Sequence, residues 1–321
     1  MKHFARLLVL LALVQTGGVL AQGYPNRPIK LVVPWPPGQA TDVAARLVAD
    51  KLTSVLGQQL VVDNRAGAGG TIGTEFASRS TPDGYTILAG SSGPISISPN
   101  VQKVPYDPQK DFEPICLLAV TNYVLVVHPS LPVTSVSDFI ALLRTNPGRY
   151  AFATSGTGAT THLITELFNT MAGVKATHIP YKGSAPAITD LIGGHVTYTF
   201  ETSAAVLSHV AAGRLKALGV SSATRALALP DIPSIAETGN LAGFDMRGWI
   251  GLLAPTGTPR ETRIRLVTEC QKAREGSDMK DRFLKLGLEP AGLTLDDFAD
   301  FLVKQSDRYA SIAKQANIKL D

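Results

Sequence analysis

The feature that most constrains the fold is a regular alternation of short β-branched runs with helical patterns. In the first third of the chain, strand-like runs at 29–35, 60–63 and 85–90 are separated by helical patterns at 42–56 and 70–78. Strands that alternate with helices are joined by crossover connections, which place the strands parallel in one sheet. The sequence therefore predicts an α/β lobe built on a parallel sheet.

The same alternation occurs a second time, so the sequence predicts a second α/β lobe. Its predicted strands are 150–155, 176–181, 197–202 and 215–220, and its predicted helices are 137–144, 160–171, 185–192 and 204–212. Apolar strands at 115–120 and 123–128 are predicted to cross between the lobes, after a proline-rich ordered loop at 94–114. Two lobes imply a cleft between them, and such clefts bind ligands.

The end of the chain is predicted to return to the first lobe. A strand at 249–254 is followed by three helical patterns, 259–273, 278–286 and 295–316. If these helices packed elsewhere, their apolar stripes would face water. We therefore expect lobe 1 to consist of 22–122 and 246–321, and lobe 2 of 123–245.

The amino terminus has the pattern of a secretory signal peptide. A basic start that contains Lys2 and Arg6 precedes an apolar run at 7–14, and small or aliphatic residues precede Gln22. The apolar run is shorter than the roughly 18 residues that a membrane-spanning helix needs. We therefore expect residues 1–21 to be removed after Ala21 and the mature chain to be soluble in the periplasm.

Charge and motif content exclude several classes of function. The formal net charge of +4 falls to +2 when Lys2 and Arg6 leave with the leader. Because no basic cluster is present to neutralise a row of phosphates, a nucleic-acid partner is not expected. The histidines and cysteines lack the paired spacing of a metal site. The glycine-rich run at 67–73 fails the dinucleotide pattern G-x-G-x-x-G because isoleucine stands at its last glycine, so neither a metal nor a cofactor is expected.

The two cysteines, Cys116 and Cys270, have two interpretations. In an exported protein they can form a disulfide, or they can be buried free thiols. Their distant spacing does not decide between the two.

The segment 30–42 is predicted to form an anion-binding turn. An apolar strand at 31–33 leads into a turn rich in proline and glycine, and Thr41 or Asp42 can cap the helix that follows. Such a turn directs backbone N–H groups and the positive end of a helix dipole at one point, which favours a carboxylate or a phosphate. For this segment alone, an ordinary strand-to-helix connection is the alternative.

The second predicted lobe repeats this chemistry at 153–162. A strand ends there, and small hydroxyl and glycine residues lead into a helix whose first turn carries Thr160 and His162. Hydroxyl groups and accessible N–H groups at the carboxyl end of a strand form a neutral anion clamp. Together the two loops predict a ligand site between the lobes.

Three other side chains have competing interpretations. His162 could be the general base of a secreted esterase with Ser155, but no G-x-S-x-G elbow is present; a buried histidine, or one that donates to a ligand, fits better. Lys182 follows a strand without the P-loop order around it. Glu201, at a predicted strand end, either faces the cleft, where it would attract an ammonium group or a protonated pyridine, or is solvated at the surface.

Seven segments resemble the Bug receptors, the extracytoplasmic solute-binding components of tripartite tricarboxylate transporters. They are VPWPPGQATD (33–42), NRAGAGGTIG (64–73), PDGYT (82–86), PYDP (105–108), HIPYKG (178–183), LPDIPS (229–234) and APTGTP (254–259). The segments occur in order and extend over nearly the whole mature chain.

The resemblance implies a type II periplasmic binding-protein fold that encloses a small organic acid, amino acid or pyridine carboxylate. It implies no catalysis, and it implies a ligand carboxylate held by backbone amides and bridging waters. Matching motifs place these residues in the cleft: Trp35, Gly38, Gln39, Ala40, Thr41, Asp42, Gly90, Ser91, Thr154, Ser155, Thr157, Gly158, Thr160, His162, Tyr181, Lys182 and Gly183, to which its position adds Glu201. We interpret the chain as a monomer that passes its ligand to membrane transport subunits; a partner that presents ligand to a signalling kinase is the alternative.

Two positions depart from the family pattern. Gln39 stands where the family commonly has a second glycine, and Trp35 stands where phenylalanine is commoner. The side chain of Gln39 could narrow the pocket or supply an amide contact. The ligand of any one member therefore does not transfer directly to this chain.

Overall fold

The computed structural model describes residues 23–275, 277–315 and 318, in which two β-sheets are covered by helices. The six-stranded sheet contains β1 (Ile29–Val33), β2 (Leu60–Asn64), β3 (Thr86–Ser91), β4 (Phe112–Thr121), β10 (Gly248–Pro255) and β11 (Leu288–Pro290). The five-stranded sheet contains β5 (Tyr123–Val127), β6 (Ala151–Thr154), β7 (Thr177–Pro180), β8 (Tyr198–Thr202) and β9 (Lys216–Val220). We call these sheets, with their helices, the first and second lobes. The predicted leader, 1–21, lies outside the described residues.

The strand order is β11-β4-β10-β3-β1-β2 in the first sheet and β7-β6-β8-β5-β9 in the second. The prediction of parallel sheets is correct only in part. β1 is parallel to β2 and β3, whereas β10 is antiparallel to β3 and β4. In the second sheet β5 is antiparallel to β8 and β9. β5 and β10 each enter from the other lobe and not through a helical crossover on their own sheet, so nothing forces them to be parallel.

Of the twelve α-helices in the described residues, nine begin and end close to the predicted positions, and the three helices of four residues each were not predicted. The twelve helices are α1 (Ala40–Leu56), α2 (Thr71–Ser78), α3 (Ser98–Val101), α4 (Pro108–Asp111), α5 (Val136–Thr145), α6 (Thr160–Ala172), α7 (Ser184–Ile192), α8 (Ser203–Ala211), α9 (Ile235–Thr238), α10 (Arg260–Glu275), α11 (Ser277–Lys285) and α12 (Leu295–Gln315). A 3₁₀ turn covers Ala68–Gly70, and a π-helical turn covers Gly93–Ile97. α1 ends at Gly57, which has a φ of 67° and whose N–H donates to the Thr53 carbonyl. This left-handed C-cap explains the glycine there.

The prediction of a loop at 94–114 is wrong. The π-helical turn continues into α3, α4 follows, and β4 begins at Phe112. Each of the three helical segments carries proline in its first turn, where the missing N–H is not needed. Asp107 caps α4, because its side chain accepts hydrogen bonds from the N–H groups of Gln109 and Lys110. Prolines that mark helix starts were thus interpreted as loop residues.

The last helices return to the first lobe, as predicted. α10 packs on α1 and β4, and α12 packs on β4 and the π-helical turn. A disulfide between Cys116 and Cys270 joins β4 to α10, so the two thiols are bridged. It connects residues 154 positions apart and ties the returning helices to the sheet.

The chain crosses between the sheets twice, at Asn122 and between β9 and β10. One apolar cluster extends through both lobes and includes Leu88, Leu125 and Trp249. The crossings and this cluster place the ends of β3, β4 and β8 around one cleft. In the part of the chain that the structure describes, none of the helices combines the length and the apolar character needed to cross a membrane.

Candidate ligand-binding cleft

A small polar cavity, here called the central cavity, lies where the two lobes meet. Its volume is about 30 Å³, which is room for about two water molecules. The lining residues are Trp35, Gln39, Ala40, Thr41, Ser91, Ser92, Thr121, Tyr123, Ser155, Thr160, Thr161, Ser184, Glu201, Thr202, Trp249 and Ile250. A second cavity of about 270 Å³, the adjoining cavity, shares Trp35 and Ser155 with it. The lobes are therefore closed on each other around a narrow polar space.

In the first lobe, the ends of the parallel strands β1 and β3 meet at the central cavity, and the end of β2 supports them. Trp35, just after β1, is buried, and its indole N–H donates to Ser91 Oγ at the end of β3 at 2.8 Å. Asn64, the last residue of β2, donates from Nδ2 to the Trp35 carbonyl at 2.9 Å. The carboxyl ends of parallel strands are where open α/β sheets bind ligands.

The cap of α1 differs from the prediction. Neither Thr41 nor Asp42 caps the helix; its N-cap is Gln39, and no side chain makes a capping hydrogen bond. Asp42 lies inside the first turn, where its Oδ2 accepts a hydrogen bond from the Gly38 N–H at 2.9 Å. Burial opposes ionisation of Asp42, but hydrogen bonds from Arg46 and from Gly38 keep its pKa below the usual value. This carboxylate therefore stabilises the loop from behind and does not line the central cavity.

In the second lobe, β6 ends in the loop that leads to α6. The Ser155 N–H donates to Thr161 Oγ1 at 2.9 Å, and the two hydroxyl oxygens of these residues lie 3.0 Å apart. The N-cap of α6 is Ala159, whose methyl group cannot accept a hydrogen bond. The first turn of α6 therefore has no side-chain cap.

Four helices that begin at the central cavity lack a side-chain cap. They are α1, α6, α7 and α8, whose N-caps are Gln39, Ala159, Gly183 and Thr202. By contrast, Ser135 caps α5 and Ser234 caps α9, and neither helix contributes to the cavity. Uncapped N-termini present N–H groups and the positive ends of helix dipoles to the cavity. Since none of the described residues that line it is basic, these N-termini are its source of positive potential.

One carboxyl group, Glu201 of β8, lies in the central cavity. It is fully buried, and its Oε2 accepts a hydrogen bond from Ser184 Oγ at 2.6 Å. Ser184 Oγ in turn accepts a hydrogen bond from Gln39 Nε2 of the other lobe at 2.7 Å. Burial raises the pKa of Glu201 to about 7, although the bond from Ser184 acts in the opposite direction. The alternative that Glu201 is a solvated surface residue is therefore wrong. Gln39 connects the two lobes through the hydrogen bond from its side-chain amide to Ser184.

Three buried polar atoms of the lining residues have no hydrogen-bond partner among the described residues. They are Glu201 Oε1, Thr202 Oγ1 and Trp249 Nε1. An indole N–H can only donate, an ionised carboxylate can only accept, and a hydroxyl can do either. Because buried polar groups are normally paired, these atoms mark positions where a bound molecule would supply the partner.

Other contacts close the lobes around the cavity. Ser92 Oγ and Thr160 Oγ1 lie 3.0 Å apart across the cleft. Gly69 lies against the second-lobe loop, because a Cβ there would come within 2.7 Å of the Thr157 carbonyl oxygen. Backbone and small hydroxyl groups therefore form the closing surface.

The structure distributes the sequence-predicted site residues over several places. Trp35, Gln39, Ala40, Thr41, Ser91, Ser155, Thr160 and Glu201 line the central cavity. Thr157, Tyr181, Lys182 and Gly183 line the adjoining cavity, and Gly38 lines a surface pocket. Asp42, Gly90, Thr154, Gly158 and His162 line neither of the two cavities. Gly90, for example, packs into the first lobe, where a Cβ would meet Leu253.

Sequence reasoning missed several lining residues: Ser92, Thr121, Tyr123, Thr161, Ser184, Thr202, Trp249 and Ile250. Ser184 directly follows Gly183 and starts α7, so a hydroxyl residue at a helix start was an available signal. Trp249 and Tyr123 lie beside the two crossings, where aromatic residues in otherwise aliphatic strands were a second signal.

His162 lies behind the second-lobe loop. Its ring stacks on that of His178 with centres 4.0 Å apart, and its Nδ1 accepts a hydrogen bond from the Gly158 N–H at 3.4 Å. The Ser155 hydroxyl pairs with Thr161 instead. Among the described residues, Ser155 and His162 therefore do not form the nucleophile–base pair that an esterase would use.

The fold and the cleft define a two-lobed solute-binding protein. Residues 44–318 match the family described as the tripartite tricarboxylate transporter family receptor, so the chain belongs to this family of periplasmic receptors. Protein BugT of Bordetella pertussis is 37% identical over 325 residues, which cover 99% of each chain. The resemblance to the Bug receptors is therefore confirmed.

Two solved structures have the same fold. The structure of R. palustris Rpa4515 with adipate matches with a TM-score of 0.89 and 36% identity, and covers 92% of this chain and 99% of that chain. MatC from Rhodopseudomonas palustris with bound malate matches with a TM-score of 0.84 and 28% identity, and covers 90% and 99%.

Proposed function

We propose that this receptor binds a small organic carboxylate in the central cavity and carries it to the membrane subunits of a tripartite tricarboxylate-type transporter. The observation that supports this most directly is the set of four uncapped helices, α1, α6, α7 and α8, at a cavity that has no basic side chain among its described lining residues. Their N–H groups and the surrounding hydroxyls suit carboxylate oxygens. The relatives solved with adipate and with malate agree with this ligand class.

Binding requires the lobes to separate and close again. The central cavity has room for about two water molecules, which is less than a carboxylate of several carbons occupies. With a ligand enclosed, the lobes would close less far than in this structure, and the ligand carboxylate would replace water at the helix N-termini. A ligand that contacts both lobes binds the closed form more tightly than the open form, and this difference shifts the population towards closure.

We also propose the organisation in which this function operates. Lobe 1 comprises 22–122 and 246–321, and lobe 2 comprises 123–245. The mature chain begins at Gln22 in the periplasm, is a monomer, and releases its ligand chemically unchanged. Intact-mass measurement and light scattering of the exported protein test this; retained Met1 or a dimer mass would contradict it.

A thermal-shift screen tests the ligand class. Each small mono-, di- or tricarboxylate is compared with its own amide, which keeps the shape but removes the charge. A carboxylate present at about 100 times its Kd should raise the free energy of unfolding by about 2.7 kcal/mol, and the amide should not. Calorimetric titration then gives the Kd, and mass spectrometry checks that the ligand is recovered intact. Amides that bind as well as their acids, or acids that have no more effect than chloride, would refute the proposal.

A further inference from the structure

A chain of hydrogen bonds fixes how Glu201 meets the cavity. Ser184 Oγ accepts from Gln39 Nε2 and therefore uses its own proton to donate to Glu201 Oε2. An amide nitrogen cannot accept, so this direction is fixed. Oε2 is then always an acceptor, and Oε1 is the oxygen left to bind a ligand. Oε1 accepts a hydrogen bond when the Glu201 carboxyl group is ionised, and it donates one when the group is protonated.

Oε1 lacks a hydrogen-bond partner in the part of the chain that the structure describes. It is a buried atom without a hydrogen-bond partner, and no lysine, arginine or histidine is among the described residues that line the central cavity. A buried acceptor left unpaired is costly, and a buried charge left unpaired is more so. A second carboxylate at this position would add a like charge, whereas an ammonium group would supply both a donor and the opposite charge.

The other two unpartnered atoms of the cavity, Trp249 Nε1 and Thr202 Oγ1, also need hydrogen-bond partners from the ligand. Trp249 Nε1, on the first-lobe wall, can only donate and therefore calls for an acceptor. Thr202 Oγ1 lies next to Glu201 in the chain and can serve either group. The cavity thus offers a donor and an acceptor, and four uncapped helix N-termini, to a single ligand.

We propose that Glu201 is a specificity-determining residue, which selects carboxylates that also carry a protonated amine. The ligand carboxylate lies at the helix N-termini and Trp249 Nε1, and its ammonium group donates to Glu201 Oε1. The inference rests on the proposed function, since it assigns the ligand class of the same cleft.

The neighbouring titratable groups keep their charge state around neutral pH. Burial raises the pKa of the Tyr123 phenol on the adjacent strand, so it stays protonated. Burial and Arg214 lower the pKa of His209 on α8, so this ring is neutral. Asp42 on α1 has a lowered pKa and stays ionised. Glu201 is therefore the group around the cavity whose charge changes near pH 7.

Matched acid pairs test the proposal on the complete mature protein. The pairs are succinate with aspartate, glutarate with glutamate, and adipate with 2-aminoadipate, titrated calorimetrically at about pH 8, where Glu201 is ionised. For the length that binds, the amino member should bind at least about tenfold more tightly than its partner, because only it satisfies both charges. Towards about pH 6 this ratio should shrink, because protonated Glu201 no longer attracts the ammonium group.

Two variants separate selection from general loss of binding. Glu201→Gln keeps the shape and the bond from Ser184, and should reduce the preference for the amino member to about threefold or less. Trp249→Phe removes an indole N–H that serves the carboxylate, and should weaken both members equally and leave the ratio unchanged. Folding of both variants is checked by circular dichroism.

The outcomes are distinguishable. An amino member that binds no better than its partner to the unmodified protein overturns this proposal but leaves the proposed function intact, and this result needs no variant. An unchanged preference in folded Glu201→Gln also overturns it. If no member of any pair binds, this proposal is refuted, and the carboxylate function is then decided by the wider thermal-shift screen.

Discussion

The two walls of the central cavity differ in their chemistry. The first-lobe wall carries the large side chains Trp35, Trp249 and Ile250, together with Gln39 and a few hydroxyls. The second-lobe wall carries Tyr123, five small hydroxyl residues and the one carboxyl group: Ser155, Thr160, Thr161, Ser184, Thr202 and Glu201. The first lobe therefore supplies shape and apolar surface, and the second supplies most of the polar recognition.

The difference follows from how each wall is built. Trp249 lies in a central strand of the mixed sheet and packs edge-on against Phe298, with ring centres 5.8 Å apart. Side chains at such positions fill a close-packed core and are fixed by it. The second-lobe wall is formed where strands end and helices start, and small hydroxyl residues there leave the backbone N–H groups within reach. Recognition by the second wall therefore depends on backbone placement.

Adding bulk to the second-lobe loop should have the largest effect. Gly158 has a φ of +74°, and a Cβ there would lie 3.0 Å from Gln102 Nε2 and 3.2 Å from Ser98 Oγ of the first lobe. Gly158→Val should strain the loop and oppose closure, and so weaken ligand binding by about 2 kcal/mol or more, comparable to the loss of hydrogen bonds to a charged group. Calorimetric titration of the folded variant measures this.

Gly148→Val is the matched control for that prediction. Gly148 has a φ of +75° but is exposed, with open space where its Cβ would lie. The backbone strain is therefore similar, while the contact between lobes is absent. Equal losses of affinity in the two variants would show that strain, and not placement of the loop at the cleft, causes the effect.

The carboxyl group of the second wall, Glu201, should make the folded protein less stable at high pH. The Glu201 pKa of about 7 in the folded protein exceeds the ordinary value of 4.5, so the folded state holds this proton more tightly than the unfolded state. Stability therefore falls as the pH rises through this window. Glu201→Gln removes the penalty, and its gain in unfolding free energy should be about 2 kcal/mol larger at pH 8 than at pH 5.

Urea denaturation at the two pH values measures this gain. Glu261→Gln, at an exposed position of α10, is the control and should change stability by about 0.5 kcal/mol or less at either pH. A gain for Glu201→Gln that is the same at both pH values would mean that the buried carboxyl does not change its charge in this range.

The sequence could predict those parts of the fold that depend only on residues close together in the chain. The helical pattern at 160–171 corresponds to α6, Thr160–Ala172, because an apolar stripe is a property of neighbouring residues. The direction of β10 could not be predicted, since its pairing with β3 and β4 joins segments more than 100 residues apart. Periodicity contains no information on which strand lies beside which.

The same distinction applies to the candidate site. Ser155 was predicted because it directly follows a strand and precedes a helix, and Trp35 because it lies in a segment that matches the family motif. Trp249 was missed because its position in the cleft depends on the return crossing of the chain. The path from Gln39 through Ser184 to Glu201 was missed because it exists only when the lobes are closed. Contacts across a cleft depend on the relative placement of two lobes, which no local pattern encodes.

Removing a hydroxyl from the second wall should have the smallest effect. Ser155 makes two hydrogen bonds with Thr161 Oγ1: its backbone N–H donates to that oxygen at 2.9 Å, and its Oγ lies 3.0 Å from it. Ser155→Ala keeps the backbone bond and lets water replace the hydroxyl, so affinity should fall by about 1 kcal/mol or less. Thr161→Val removes the oxygen that takes part in both bonds, frees the loop, and should cost more affinity than Ser155→Ala. Titrating both folded variants with the same ligand makes the comparison. A larger loss for Ser155→Ala than for Thr161→Val or Gly158→Val would show that hydroxyl side chains, and not the backbone amides they position, carry the recognition.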